Sequence, residues 1–184
     1  MIGIGNPLRG DDGVGWWLAR RAEALRPTTR VLTVQQLTPE LAAELAVARR
    51  LLLMDAWWSQ DRETGMQETG GRARARRPAG RPCLRRLQCS KGPDEAGAFS
   101  HHLDPAQLLA ITHWLFGREP ETWQLLVPAY AMPHGEAFSP QLRHQLPRAQ
   151  TLLVRWGSYG LEHGERRQTD RLRRRPQGNQ PCMN

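Results

Sequence analysis

Two adjacent carboxylates, Asp11 and Asp12, stand in a stretch made of glycines and turn residues, Gly3-Ile4-Gly5-Asn6-Pro7-Leu8-Arg9-Gly10-Asp11-Asp12-Gly13-Val14-Gly15. Paired acids on a tight loop can bind a hard or borderline metal ion, cap a helix N-terminus, or do both. The glycines and Asn6 allow backbone angles that other residues resist, and the Pro7 ring stiffens the exit from the preceding strand. An ordinary strand-to-helix turn explains the stretch about as well, because acids at a helix start complement its dipole. Two later positions add weight to the metal reading. Asp55 follows the apolar run Leu51-Leu52-Leu53-Met54, and His101 opens a helix-like segment in Phe99-Ser100-His101-His102-Leu103-Asp104.

These groups matter only if the fold brings them together. Residues 1–5 read as the tail of a short buried strand. Residues 13–26 read as a helix, with Val14, Trp17, Leu18, Ala22 and Leu25 at helical spacing and Pro27 ending it. Trp16 and Trp17 read as core or interface residues. Arg30 to Val34 reads as a second strand. Thr38 as cap and Pro39 at the first position start a helix running to about Ala48. Leu51 to Met54 has the continuous apolar character of a strand buried on both faces of a parallel sheet. Asp55 then falls at its C-terminal end, the edge where open α/β sheets hold their ligands, so the Asp11–Asp12 loop and Asp55 can converge.

Residues 59–97 carry no regular pattern, being broken by Gly65, Gly70, Gly71, Pro78, Gly80 and Pro82. Ser100 can cap a helix with Leu103, Leu108, Leu109, Ile111 and Leu115 on its apolar side, which places His101 and His102 in the first turn. Trp123 to Val127 reads as a strand, and Pro128 points to a sheet edge or strand end. Tyr130 to Phe138 forms a loop in which His134 and Glu136 read as solvent-exposed. Ser139-Pro140 begins the last helix, with Leu142, Leu146, Ala149, Leu152 and Leu153 on one face. Pro147 predicts a kink or break, and from Gly157 the chain reads as a basic, disordered tail. Strands alternating with helices predict a three-layer α/β/α sandwich around a mostly parallel sheet of about five strands, spanning residues 1–156.

At 184 residues the chain suffices for one domain. It has no apolar run of the roughly 18 residues that span a membrane and no signal-peptide pattern, so the expectation is a soluble, cytoplasmic protein, most simply a monomer. Cys83, Cys89 and Cys182 are odd in number and lack metal-ligand spacing, which supports neither a disulfide framework nor a zinc site. The net charge of +8 raises nucleic-acid binding as a class. Its arginines cluster at 72–86 and 171–175, where the simpler reading is a solvated, partly disordered segment.

The glycine-acid stretch closely resembles the opening signature of the hydrogenase maturation endopeptidases, which trim the C-terminal extension from the large subunit of nickel-iron hydrogenases. The resemblance continues through Gln36-Leu37-Thr38-Pro39-Glu40-Leu41-Ala42, Leu53-Met54-Asp55-Ala56 and Ser100-His101-His102-Leu103. It implies an antiparallel strand, for which Cys83-Leu84-Arg85-Arg86-Leu87 is the candidate. It also implies Asp12, Asp55 and His101 as metal ligands, with His102 a neighbour of the site. The family is thought to use this site to recognise nickel already inserted in the precursor, so the resemblance implies nickel carried by the substrate, or another divalent ion in the free protein. Asp, Asp and neutral imidazole suit a borderline divalent cation. Asp11 is the candidate general base or ligand-orienting residue.

Two other classes compete. A nucleotide-binding domain is suggested by Gly3-x-Gly5, but Leu8 stands where the dinucleotide fingerprint needs a third glycine, and a phosphate loop would repel Asp11 and Asp12. A nucleic-acid-binding or scaffold protein would act through the arginine clusters. An inactive relative of the protease family is a third alternative, with ligands in place and the sheet compromised by its short start.

Overall fold

The computed structural model describes residues 1–58, 80–87, 103–135 and 137–173, with the backbone alone from 159 onward. The elements are β1 (Ile2–Ile4), a 3-10 turn (Gly10–Gly13), α1 (Val14–Leu25), β2 (Leu32–Val34), α2 (Leu41–Ala46), β3 (Arg50–Trp58), β4 (Cys83–Leu87), α3 (Pro105–Phe116), β5 (Glu121–Ala129) and α4 (Pro140–Arg173). They form one five-stranded sheet in the order β2-β1-β3-β5-β4. All pairings are parallel except β4 with β5. The expected sandwich and the antiparallel β4 are both found.

Two apolar clusters cover the two faces of the sheet. On one, α1 and α4 bring Val14, Leu18, Leu142, Ala149 and Leu153 against Leu52, Met54, Leu125 and Val127. On the other, α2 and α3 bring Ala42, Leu45, Leu108 and Leu109 against Ile2, Ile4, Leu51 and Leu53. Neighbouring strand residues thus serve opposite layers, as the pleat requires. The register matches Ile2 with Leu53 and Gly3 with Met54. Gly15 lets α1 lie directly on these strands, since a Cβ there would run into the Ile4 carbonyl and come 2.5 Å from that of Met54.

Several boundaries differ from the sequence reading. β3 runs on to Trp58, because β5 pairs with it up to Trp58↔Ala129, so Asp55 lies within the strand. Pro128 lies inside β5, beyond Leu126 where the pairing with β4 stops, so β4 offers no partner for a missing N–H. α3 begins at Pro105, not at Ser100. Asp104 and Gln107 form a reciprocal capping box with Pro105 next to the cap, a stronger start signal than Ser100. His101 and His102 therefore precede the helix and lie outside the described residues. α4 passes through Pro147, which stands on the exposed side, where water can serve the freed carbonyl. The helix also continues beyond Gly157 to Arg173, through helix formers such as Glu162, Arg166, Arg167 and Gln168. Residues 59–79 and 174–184 lie outside the description. Among the described residues no helix is long and apolar enough to cross a membrane.

Candidate functional site

Chain topology selects the site before any side chain does. From β1 the chain crosses to β2 through α1 on one face, then returns over β1 to β3 through α2 on the other. The C-terminal ends of β1 and β3 are therefore the point where the winding reverses, and a crevice opens there in sheets of this kind. The loop after β1 carries Asp11 and Asp12, and β3 carries Asp55.

Asp11 and Asp12 sit in the 3-10 turn, where three residues complete a turn and successive side chains diverge by about 120°. They consequently face different surroundings. Asp11 is fully buried. Its Oδ2 accepts from the N–H groups of Tyr130 at 2.8 Å and Ala131 at 3.0 Å, and from the Ser139 hydroxyl at 2.7 Å. Its Oδ1 accepts from the Ser139 N–H at 2.7 Å. Ser139 in turn caps α4, its Oγ accepting from the Leu142 N–H at 3.1 Å. One carboxylate thus ties the first loop of the chain to the end of β5 and the start of the last helix. With four donors in place and no solvent contact, this geometry suits an anchor better than the general base considered for Asp11.

Asp12 is half-buried, and its Oδ2 accepts from the Asn6 N–H at 2.9 Å. Its backbone passes over Gly5, whose φ of +125° already favours glycine and whose Cβ, if present, would collide with the Asp12 carbonyl oxygen. Asn6 also accepts the Leu8 N–H on its Oδ1 at 2.9 Å, so one side chain and its N–H fix both arms of the loop.

Asp55 lies one step beyond Met54, level with Ile4 when the β1–β3 register is continued. Alternation puts its side chain on the α2–α3 face with Leu51 and Leu53. Burial pushes its carboxyl up to about 7; the Ala56 N–H opposes that rise and the nearby charge of Asp12 adds to it. Asp12 and Asp55 thus share one crevice, and the charge of Asp12 adds to the cost of ionising Asp55. A divalent cation would relieve that repulsion, so this oxygen pair fits two of the three expected ligands. Among the described residues no cluster of three His, Cys, Asp or Glu is assembled. The chain re-enters at Leu103, packed on the same α2–α3 layer that Asp55 faces.

The loop after β5 completes the rim. Arg9 and Gly135 form a parallel bridge, with Gly10 N–H to Gly135 O at 2.8 Å and Gly135 N–H to Leu8 O at 2.9 Å. His134 is exposed on this loop, as expected, and Glu136 lies outside the described residues. Of the first arginine cluster, Arg85 bonds the Gln124 side chain at 2.7 Å and Arg86 pairs loosely with Glu121 at 3.6 Å. Sequence reasoning valued Ser139 only as a helix start and Asn6 only for its backbone. Both prove to be hydrogen-bond hubs, and the Ser-Pro pair ahead of an amphipathic run was the one available signal for the first.

No protein-family model matches the chain, and no curated protein is significantly similar to it. Solved structures are. The [NiFe] hydrogenase maturation protease HycI from Thermococcus kodakarensis KOD1 superposes with a TM-score of 0.54 at 18% identity, over 83% of this chain and 88% of that one. HybD from Thermococcus kodakarensis, also a [NiFe] hydrogenase maturation protease, gives 0.54 at 18% identity, over 84% and 95%. The hydrogenase maturating endopeptidase HybD from E. coli gives 0.52 at 18% identity, over 89% and 91%. The chain has the fold of these proteins along nearly its whole length.

Proposed function

We propose that this chain is a hydrogenase maturation endopeptidase, removing the C-terminal peptide from a nickel-iron hydrogenase large-subunit precursor once nickel is loaded. The observation that carries this is the pair Asp12–Asp55, set at the β1/β3 switch point inside a fold shared with such proteases. The glycine-acid stretch that builds the turn is the same stretch that resembles the family signature.

In this reading the nickel arrives with the substrate. Asp12 and Asp55 offer oxygens to it, with His101 as the third ligand. Held there, the ion would supply polarisation of the scissile carbonyl or of the attacking water. Asn6 N–H holds Asp12 in one orientation, so little is lost to ordering when the precursor docks. With its carboxyl raised to about 7, Asp55 holds its proton in about half of the molecules at neutral pH while the crevice is without a cation, and would give it up on ligating, since a metal ligand must be the charged form. Asp11 holds the loop in place.

Mass spectrometry of a precursor incubated with the protein, with and without nickel, tests the reading. Loss of a C-terminal peptide from the nickel-loaded form alone is expected, and Asp12→Ala or Asp55→Ala should slow it at least about 100-fold. Cleavage of both forms, or wild-type rates from either variant, would reject it.

A further inference from the structure

Leu8 is out of place for a leucine. It is 57% exposed, four residues before Asp12, on the rim of the crevice. A single exposed leucine is ordinary on a protein surface. Here, however, the surrounding backbone is tied down on every side. The Leu8 N–H donates to Asn6 Oδ1, the Leu8 carbonyl accepts from Gly135, and the Arg9 N–H donates to the Asn6 carbonyl at 3.0 Å. The backbone that carries this exposed side chain is therefore held in a fixed place, with exposed Pro133 and His134 on the segment that bonds to it. Of the other large exposed apolar groups among the described residues, Leu25, Val47 and Trp114 to Phe116 stand at the ends of α1, α2 and α3, which lead into the starts of β2, β3 and β5 at the far edge of the sheet. Val154 of α4 lies with Leu25 beside Met1 at that same edge.

We propose that Leu8 is a docking knob for the precursor protein, seated in an apolar depression beside the segment that is cut. This rests on the peptidase reading. The occupant follows from continuity, because Asn6 bonds Leu8 through its side chain and Asp12 through its N–H, so the ligand and the knob are parts of one rigid turn. A surface that reaches Asp12 meets the same turn that presents Leu8. The knob contributes to capture and register, and takes no part in bond breaking.

The test separates capture from chemistry. With nickel-loaded precursor, Leu8→Ser should raise KM about fivefold, the order expected when a leucine loses its burial at an interface, with kcat unchanged. Leu8→Met should restore KM, and urea unfolding should be the same for all three proteins. A wild-type KM in Leu8→Ser, or a loss confined to kcat, would overturn the inference while leaving the peptidase reading intact. A wild-type protein that neither binds nor cuts any precursor would overturn that reading and this inference with it.

Discussion

Replacing Asp11 by asparagine separates an anchor from a base. Hydrogen bonds to a charged acceptor contribute about 1.5–3 kcal/mol each, and a buried donor left without a partner costs about 1–3 kcal/mol. Asparagine can keep its oxygen at the Oδ2 position, facing Tyr130, Ala131 and the Ser139 hydroxyl. Its amide then points at the Ser139 N–H, so one bond is lost and two donors face each other. The remaining three bonds lose the help of the negative charge. The expected loss is about 2–3 kcal/mol, or roughly 1–2 M in the urea midpoint for a domain of this size. Alanine would strip all four donors and cost about 4–6 kcal/mol, close to the whole stability of many domains, so it is the poorer probe. Ser139→Ala should cost about 1–2 kcal/mol through its cap on Leu142 and its bond to Asp11, and the double variant should show coupling of about 1 kcal/mol. Once corrected for the folded fraction, cleavage by Asp11→Asn should stay within about threefold of wild type. A stability change below about 0.5 kcal/mol would refute the clamp. A fully folded variant more than about 100-fold slower would return Asp11 to the chemistry.

Other outcomes follow from the same geometry. Gly15→Ala drives a methyl into the carbonyls of Ile4 and Met54 and should cost about 3 kcal/mol or more by thermal or urea unfolding; a neutral result would mean that α1 is not held so close to the sheet. Asp55 has a folded value raised to about 7 from 3.8, so below about pH 4 it is protonated in both states and makes no difference. Between about pH 4 and 7 the unfolded chain ionises while the folded one keeps its proton, so the cation-free protein should lose stability as pH rises through that window and then level off. Because Asp55 is partly open to solvent, the loss should be about 2 kcal/mol rather than the full linkage value; Asp55→Asn should flatten the profile, and an unchanged pH dependence would argue against the raised carboxyl.

Much of this architecture was legible in the sequence because the pattern and the physics agree. Leu51 to Met54 could only be a doubly buried strand, and Val14, Leu18 and Ala22 could only face one layer. The convergence of the Asp12 loop with Asp55 followed from where open sheets place their crevices. What could not be read was direction. Consecutive acids look alike in a sequence, yet the turn of the 3-10 helix sends one to Asn6 beside Asp55 and the other into Ser139, 128 positions away. The length of β3 was hidden because Asp55 interrupts the apolar run, whereas pairing with β5 decides where the strand ends. The start of α3 was misplaced because a plausible serine came before a better aspartate.

The Asp11 contacts also have a bearing on biogenesis. Their partners lie 119, 120 and 128 residues further along the chain. Closing so long a loop is entropically late, and the contacts cannot form on the ribosome until β5 and Ser139 have left the exit tunnel. Until then the first turn has no anchor, so a nascent chain carries Asp11 and Asp12 without the geometry they have in the folded domain. The turn would gain its shape in one step, when the Asp11 carboxylate meets the start of α4.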